Sequence, residues 1–317
     1  MPTLTQLEYL VAVDRTRHFG RAARACHVSQ PTLSAQVHKL EEELGVVVFD
    51  RKHKPVVPTP AGVAVLERAR EVLRAHERLV HVADELAGDL AGPLSLAVIP
   101  TLAPYLLPRF LAAFARAHPR IELTVEERRT EDIIAALRAD QIDAGLLATP
   151  LGERGLRERP LFYEPFYVYA AAGHPLLSRD VVRDSQLDPA DLWLLEDGHC
   201  LRTQVVHLCG AADGRCGRLD NVRFEAGTLE SLRQLVRAGG GYTLVPHLLV
   251  VQLSARERAR HVRPIARPVP TREVSLVFRR DLYKRDALRA LYDAVRANVP
   301  DDLPARPRAA HRVVDAV

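Results

Sequence analysis

The chain has 317 residues, of which 47% are hydrophobic and 26% are charged, and its formal net charge is +4. This length and composition predict a globular protein of two or three domains. No apolar run approaches the ~20 residues that a membrane span needs, and the net charge is too small to indicate a nucleic-acid partner by itself.

The compartment follows from the N-terminus, which has no basic segment followed by a cleavage site, so we expect a cytoplasmic protein. In a reducing compartment a close pair of cysteines is more often redox-active, catalytic or metal-binding than structural. The chain has 4 cysteines, and none of them forms the paired C-x-x-C units that zinc sites use. We therefore expect no metal ion, no cofactor and no membrane partner.

The first sixty residues predict two short helices joined by a tight turn, which is the helix-turn-helix arrangement. An alanine-rich segment ends at Cys26, and Ser29 is a suitable N-cap for a second helix that Gly45 ends. Apolar residues at helical spacing mark the buried face of this second helix; they are Leu33, Val37, Leu40 and Leu44. On pattern alone, an ordinary small helical bundle fits equally well.

The opposite face of the second helix carries side chains that hydrogen-bond readily to base edges and phosphates. "VVVFDRKHKPVVPTP", residues 46–60, predicts a two-stranded wing with a basic tip. DNA would repel Glu41, Glu42 and Glu43, so we expect the N-terminal half of the helix to enter the groove. The predicted DNA-contacting residues are Gln30, Pro31, Thr32, Ser34, His38 and Lys39 on the helix and Arg51, Lys52 and Lys54 on the wing.

This N-terminal segment resembles the DNA-binding domain of LysR-type transcriptional regulators. The resemblance is carried by "SQPTLS" (29–34), "LEEELG" (40–45), "TPAG" (59–62) and the Ala22–Ala23 pair. It implies a winged helix-turn-helix domain over residues 1–58 and double-stranded DNA as a partner.

Residues 59–91 predict a linker helix followed by a hinge in "AGDLAGPL", residues 87–94. Thr59 is a good N-cap, and Pro60 suits the first helical turn. The helix carries an apolar stripe, which consists of Val63, Leu66, Leu73, Val80 and Leu86. A second copy of the chain is the simplest partner for this stripe, so we expect a homodimer. Packing of the stripe on the chain's own C-terminal domain is the alternative.

From Leu94 to residue 278, strand and helix patterns alternate, which predicts an α/β domain with parallel strands. Two such halves resemble the periplasmic-binding-protein-like effector domain of the LysR family. The resemblance implies an effector domain over residues 92–300, with one subdomain at 92–162 plus 268–300 and a second at 163–267. The tail, residues 301–317, is rich in Pro and Arg and is expected to be loose.

"LEDGHCLRTQVVHLCG", residues 195–210, holds two cysteines at the ends of a segment with helical spacing. A helix would separate Cys200 and Cys209 by about 13 Å along its axis. A disulfide needs Cα atoms within about 7 Å, so the bond and the helix exclude one another. Oxidation would therefore have to unwind or re-route the segment, which gives two discrete states.

Cys200 would stand at the start of this helix, where backbone amides and the neighbouring His199 and Arg202 would stabilise its thiolate. A thiolate attacks peroxide to give sulfenic acid, which condenses with a second thiol. On residue pattern alone, two cysteines that are merely small buried residues are the commoner case.

"LEDGHCLRTQ", residues 195–204, resembles the peroxide-sensing segment of the peroxide-responsive LysR-type regulators. The resemblance implies that Cys200 is the peroxidatic residue and Cys209 the resolving residue of a reversible disulfide that controls oxidative-stress genes. It also implies a homotetramer that contacts RNA polymerase. The hydrogen peroxide pocket that it implies consists of Thr101, Thr130, His199 and Arg272.

Two features depart from that pattern, and two other functions stay open. Cys216 lies in a longer segment and leaves a bridge to Cys200 or Cys209 open, and Arg223 stands where the family pattern has histidine. A small metabolite bound between the subdomains would make the cysteines incidental. A thiol peroxidase would use them catalytically, but the helix-turn-helix and wing argue against an enzyme, so we expect no catalytic residues.

Overall fold

The computed structural model describes residues 1–86, 90–210, 226–280 and 284–316. The chain divides into two compact units, Met1–Asp89 and Leu90–Val317. Cys216, Arg223 and the first part of the predicted hinge lie outside the described residues.

The N-terminal unit contains the predicted helix-turn-helix and wing. Its elements are α1 (Leu4–Thr16), α2 (Phe19–Ala25), α3 (Gln30–Leu44), β1 (Phe49–Asp50), β2 (Val57–Pro58) and α4 (Pro60–Leu86). The predicted caps of α3 are confirmed, since the Ser29 side chain accepts from Thr32 N and Gly45 has a φ of 64°. β1 and β2 pair antiparallel, with Phe49 opposite Pro58, which confirms the wing.

The apolar stripe of α4 is buried near the start of the helix and exposed further along it. Leu66 is buried in the core that α1, α2 and α3 form, together with Leu10, Leu33 and Leu40. Val80, further along the same helix, is 50% exposed. The helix is therefore anchored in its own unit near its start and leaves an apolar surface beyond, formed by Val72, Leu79 and Val80.

The second unit has the expected α/β architecture. Its helices are α5 (Ala103–Ala117), α6 (Thr130–Arg138), α7 (Cys200–Cys209), α8 (Leu229–Gly239), α9 (His247–Val250), α10 (Ala255–His261) and α11 (Arg285–Asn298). Its strands are β3 (Gly92–Val98), β4 (Ile121–Glu127), β5 (Ala144–Thr149), β6 (Leu156–Ala170), β7 (Tyr242–Pro246), β8 (Val262–Pro264), β9 (Val269–Arg279) and β10 (His311–Val313).

The sheet order is β4-β3-β5-β9-β6-β7, with β10 beside β9 and β8 beside β6. Strands β3, β4 and β5 are parallel, but β9 runs antiparallel to both β5 and β6. The prediction of parallel strands is confirmed for β3, β4 and β5 and wrong for β9, because this late strand returns to the sheet in the opposite direction. It is also wrong for β7 and β8, which run antiparallel to β6. Strand β6 pairs with β9 over residues 156–165 and with β7 over residues 166–170, so a single strand serves both halves of the effector region.

The expectation of a loose tail is wrong. Strand β10 pairs in parallel with residues 269–271 of β9, and Tyr163 N donates to Pro304 O at 2.9 Å. Leu303 and Val314 are buried. Pro and Arg dominate the composition of this segment, but its few apolar residues are buried, and β10 pairs with one end of β9. Composition does not reveal such contacts.

Candidate functional site

Helix α7 spans the segment between the two cysteines, as the apolar spacing predicts. Cys200 is its first residue and Cys209 its last, and both thiols are buried. The helix ends at Gly210, whose φ of 63° lies in the left-handed region that glycine adopts without strain. Ten helical residues place the cysteines about 13 Å apart along the axis, so a bond between them requires α7 to unwind.

The surroundings of Cys200 differ from the sequence-based expectation. Burial raises the pKa of the Cys200 thiol, and the Arg272 charge, the Thr130 hydroxyl and nearby backbone groups offset part of that effect. Arg202 does not supply the positive charge, because its guanidinium donates to Leu195 O at 2.6 Å and pairs with Asp197 at 2.8 Å. The cation near the sulfur comes from β9, about seventy residues further along the chain.

Arg272 is held by a fully buried network. Its Nε donates to Glu164 Oε2 at 2.8 Å, and its Nη1 donates to Thr101 Oγ1 at 3.2 Å. Thr130 begins α6, and its buried hydroxyl has no nitrogen or oxygen partner among the described residues, so it is available to a small polar ligand beside Cys200. The structure thus places Thr130 and Arg272 beside the thiol, with Thr101 in contact with Arg272.

His199 precedes Cys200 and is buried. Burial lowers its pKa, and the Arg129 charge lowers it further, while Glu196 and the backbone of Gly227 act in the opposite direction. Its Nε2 lies 3.8 Å from Glu196 Oε1, and Arg129 pairs with the same carboxylate oxygen. The imidazole is therefore neutral at pH 7, the form that both accepts and donates a proton.

Metal sites and membrane spans each require a particular arrangement of residues, and the described residues supply neither. Within residues 1–86, 90–210, 226–280 and 284–316, no group of three or more His, Cys, Asp or Glu side chains is arranged to hold a metal ion. Within the same ranges, no helix is both long and apolar enough to cross a membrane.

The predicted DNA-contacting side chains are exposed on α3 and the wing, with Ser34 half-buried. Some of them also contact neighbouring side chains: the Arg51 guanidinium pairs with Glu41 at 2.8 Å and lies 5.0 Å from the centre of the Phe19 ring. Glu41, predicted only to be repelled by DNA, is buried and accepts from Val48 N at 2.8 Å. One glutamate of the acidic run therefore ties the wing to α3.

Two family models together cover most of the chain. The model described as a bacterial regulatory helix-turn-helix protein of the lysR family matches residues 4–63, and the LysR substrate binding domain matches residues 87–300. Known relatives carry OxyR names, including an Escherichia coli K12 protein named DNA-binding transcriptional dual regulator OxyR, which is 38% identical over 93% of this chain and 95% of its own. The chain belongs to the LysR family, in its OxyR branch. LysR-type proteins are transcriptional regulators, and the resemblance seen in the sequence is confirmed.

Other OxyR proteins agree with this assignment. The hydrogen peroxide-inducible genes activator of Dickeya chrysanthemi is 40% identical over 93% of this chain and 95% of its own. A full-length OxyR variant from Pseudomonas aeruginosa has a TM-score of 0.76 and 35% identity, and the match covers 94% of this chain and 98% of that one. An OxyR variant from Corynebacterium glutamicum, described as H2O2-bound, has a TM-score of 0.59 at 33% identity, with 94% and 92% coverage.

Several residues of this LysR-type site were missed by sequence reasoning. Glu164 neutralises Arg272, Arg129 and Glu196 flank His199, and Gln204 of α7 donates to Val314 O at 2.9 Å. Most of these contacts join residues that are far apart in the chain, although Glu196 lies only three residues from His199. A charged residue within an otherwise apolar strand, as at Glu164 in "LFYEPFYVYA", was the one available signal.

Proposed function

We propose that this protein is a transcriptional regulator that senses hydrogen peroxide through Cys200 and Cys209. The observation that carries the proposal is the position of Cys200: a buried thiol at the start of α7, beside Thr130 and Arg272, with a second thiol at the other end of the same helix. The names and structures of the OxyR relatives support the same signal. The helix-turn-helix domain binds DNA and so turns the signal into a change in transcription.

The chemistry requires a thiolate, a bound peroxide and a route for one proton. The Cys200 thiolate attacks one peroxide oxygen, the O–O bond breaks, and the departing hydroxide takes up a proton to leave as water. The hydroxyls of Thr101 and Thr130 are suited to orient peroxide, and Arg272 stabilises negative charge on sulfur. Neutral His199 is suited to relay the proton.

Disulfide closure converts this chemistry into a change of conformation. Cys209 attacks the sulfenic acid, the S–S bond forms, and the S–OH oxygen leaves as water. Because α7 cannot persist with that bond, the helix must unwind, which releases its buried face and the contact of Gln204 with the tail. The cross-link closes a loop of about ten residues and restricts the chain by roughly 2.5–3 kcal/mol, enough to bias a short helix.

The DNA-bound assembly is part of the same proposal. The α3 surface from Gln30 to Lys39 enters the major groove, while Lys52 and Lys54 contact the backbone. The apolar surface of α4 pairs two chains, and two such pairs form a tetramer whose altered spacing changes contact with RNA polymerase. Because the helix-turn-helix model and the relatives are bacterial, a DNA partner implies action in the cytoplasm. The protein acts as a regulator rather than an enzyme in this proposal, because its helix-turn-helix gives the disulfide an effect on DNA and its relatives are named as gene activators.

The test is disulfide mapping by mass spectrometry after one equivalent of hydrogen peroxide. We expect a Cys200–Cys209 bridge in the full-length protein and its loss in Cys200→Ser, with Cys26→Ser as the matched control that keeps the bridge. The same samples are compared by footprinting on DNA fragments selected with the reduced protein. Bridges that all exclude Cys200, or a Cys200→Ser protein whose footprint still responds to peroxide, would contradict the proposal and favour a metabolite signal. Sustained peroxide turnover with a thiol reductant would favour a peroxidase.

A further inference from the structure

Tyr242 contacts the thiol at the far end of α7. It is the first residue of β7 and is fully buried. Its hydroxyl oxygen lies 3.8 Å from Cys209 Sγ and 3.1 Å from Asp188 O. Burial raises the pKa of Tyr242, and the nearby Cys209 raises it further, so the phenol stays protonated.

The hydroxyl has one hydrogen and two acceptor lone pairs. The hydroxyl is placed to donate to Asp188 O and to Cys209 Sγ, so its one hydrogen serves either of two acceptors. The sulfur of Cys209 is therefore held by the Tyr242 hydroxyl at the end of α7 opposite to Cys200.

The position of this hydroxyl is fixed by its own strand. Trp193 N donates to Tyr242 O at 2.8 Å, and the Tyr242 ring lies 5.7 Å from the His174 ring. The backbone bond to Trp193 and the neighbouring His174 ring leave the phenol little freedom to follow a moving sulfur. When α7 unwinds, Cys209 must leave this contact, since the ring cannot travel with it.

We propose that Tyr242 is a positioning residue for the resolving thiol: it retains Cys209 in the reduced conformation and delays its attack on oxidised Cys200. The inference rests on the proposed function, since it concerns the second step of peroxide sensing. In that step Cys209 gives up its proton and its sulfur attacks the sulfur of the Cys200 sulfenic acid. The S–S bond forms, the S–O bond breaks, and the oxygen leaves as water.

The test variant is Tyr242→Phe, which removes the hydroxyl and keeps the ring. Tyr169→Phe is the matched control: Tyr169 is also fully buried on a strand of the same unit, but its hydroxyl donates to Glu257 Oε1 at 2.8 Å, away from both cysteines. Both variants are made in the full-length protein with Cys216→Ser, so that only one resolving partner is present. Thermal unfolding of each variant checks that both are folded to the same extent.

The first measurement is a rapid-quench time course after one equivalent of hydrogen peroxide. A sulfenic-acid trap and a thiol alkylator quench each sample, and mass spectrometry counts sulfenic acid and disulfide. We expect Tyr242→Phe to shorten the lifetime of the sulfenic acid about three- to tenfold, which is what the loss of one hydrogen bond implies, with no change in its rate of formation. Tyr169→Phe should close the disulfide at the wild-type rate.

The second measurement needs no peroxide: alkylation of Cys209 in the reduced proteins. We expect Tyr242→Phe, but not Tyr169→Phe, to accelerate it. Equal closure rates and equal alkylation rates in all three proteins overturn the role of Tyr242 and leave peroxide sensing intact. Failure of Cys200 to form sulfenic acid overturns peroxide sensing, and the alkylation rates then still decide whether Tyr242 restrains Cys209.

Discussion

Arg272 and Glu164 form a fully buried ion pair, with the guanidinium Nε 2.8 Å from the carboxylate Oε2. The second carboxylate oxygen accepts from Leu248 N at 2.6 Å, at the start of α9. Arg272 lies on β9 and Glu164 on β6, so the pair fixes the cation near Cys200 to the strand that serves both halves of the effector region. Arg272, whose charge lowers the pKa of the buried Cys200 thiol, thus depends in turn on the buried charge of Glu164.

Glu164→Gln is expected to destabilise the effector unit by about 3–5 kcal/mol, because it leaves the Arg272 charge buried and unpaired. Urea unfolding measures the effect. The control is Arg138→Gln, which breaks the more exposed pair with Glu153 and should cost less than about 1 kcal/mol. Equal losses of unfolding free energy in the two variants would show that the buried pair contributes no more to stability than the exposed pair.

Thr130→Val is expected to slow the oxidation of Cys200 by peroxide about three- to tenfold at neutral pH, because it removes the hydroxyl that lowers the pKa of the thiol. In the wild-type protein burial keeps that pKa above its ordinary value of 9.0. The oxidation rate should therefore still rise as the pH is raised through about 9, since the thiolate fraction is still growing. A rate that levels off below about pH 8 would mean that the pocket stabilises the thiolate more than burial destabilises it.

The titration of His199 tests the role of Arg129. Burial and the Arg129 charge lower the pKa of His199, so Arg129→Gln should raise it toward its ordinary value. The effect on stability follows from the direction of this shift. Because the pKa of His199 is lower in the folded protein than in the unfolded chain, the folded protein loses stability as the pH falls through about 6.5, the pKa of an unfolded histidine. The variant loses less, because its His199 pKa is closer to that value. Histidine NMR resonances followed against pH measure the midpoint.

Arg128→Gln is the matched control for this titration. Arg128 neighbours Arg129 in sequence but pairs with Glu126 at 2.6 Å, and it is not among the groups that shift His199. Its substitution should leave the His199 midpoint unchanged. A midpoint that moves equally in both variants would point to a general loss of positive charge rather than to the contact between Arg129 and the loop of Glu196.

Local patterns were sufficient for some of this architecture and insufficient for the rest. The caps of α3, the wing and the helix between the cysteines follow from neighbours within a few residues, which is why spacing and turn chemistry predict them. The pocket does not: Arg272 and Thr101 meet across 171 positions of sequence. They were expected there only because of the family resemblance. Arg202 was misjudged because proximity in sequence does not determine where a long side chain points.

Glu41 shows how a charge pattern misleads when burial is unknown. Glu41→Gln should destabilise the N-terminal unit by about 1–3 kcal/mol, because the amide cannot replace both the ion pair with Arg51 and the bonds from the wing backbone. Glu43→Gln, at an exposed position of the same helix, is the control and should change stability little. Thermal unfolding and DNA affinity are measured together. Weaker DNA binding by Glu41→Gln with unchanged stability would instead assign the residue to DNA contact.

Removal of residues 301–317 tests whether the tail is a structural part of the effector unit. Truncation exposes the sites of Leu303 and Val314, unpairs β10 from β9, and leaves Gln204 of α7 without its acceptor. We expect a loss of about 3–6 kcal/mol in urea unfolding, from two apolar side chains and several hydrogen bonds. Arg312→Gln, which breaks only the exposed pair with Asp184, should cost less than about 1 kcal/mol.

The same truncation should act on α7 in particular. Since Gln204 Oε1 is already buried without a partner among the described residues, loss of Val314 O leaves the whole amide unsatisfied and favours unwinding of the helix. Hydrogen exchange of α7 amides should accelerate relative to that of α5, a helix of the same unit. Gln204→Leu in the truncated protein removes the unsatisfied amide and should restore part of the protection. Unchanged exchange in α7 after truncation would mean that the tail stabilises the sheet alone and does not contribute to the thiol helix.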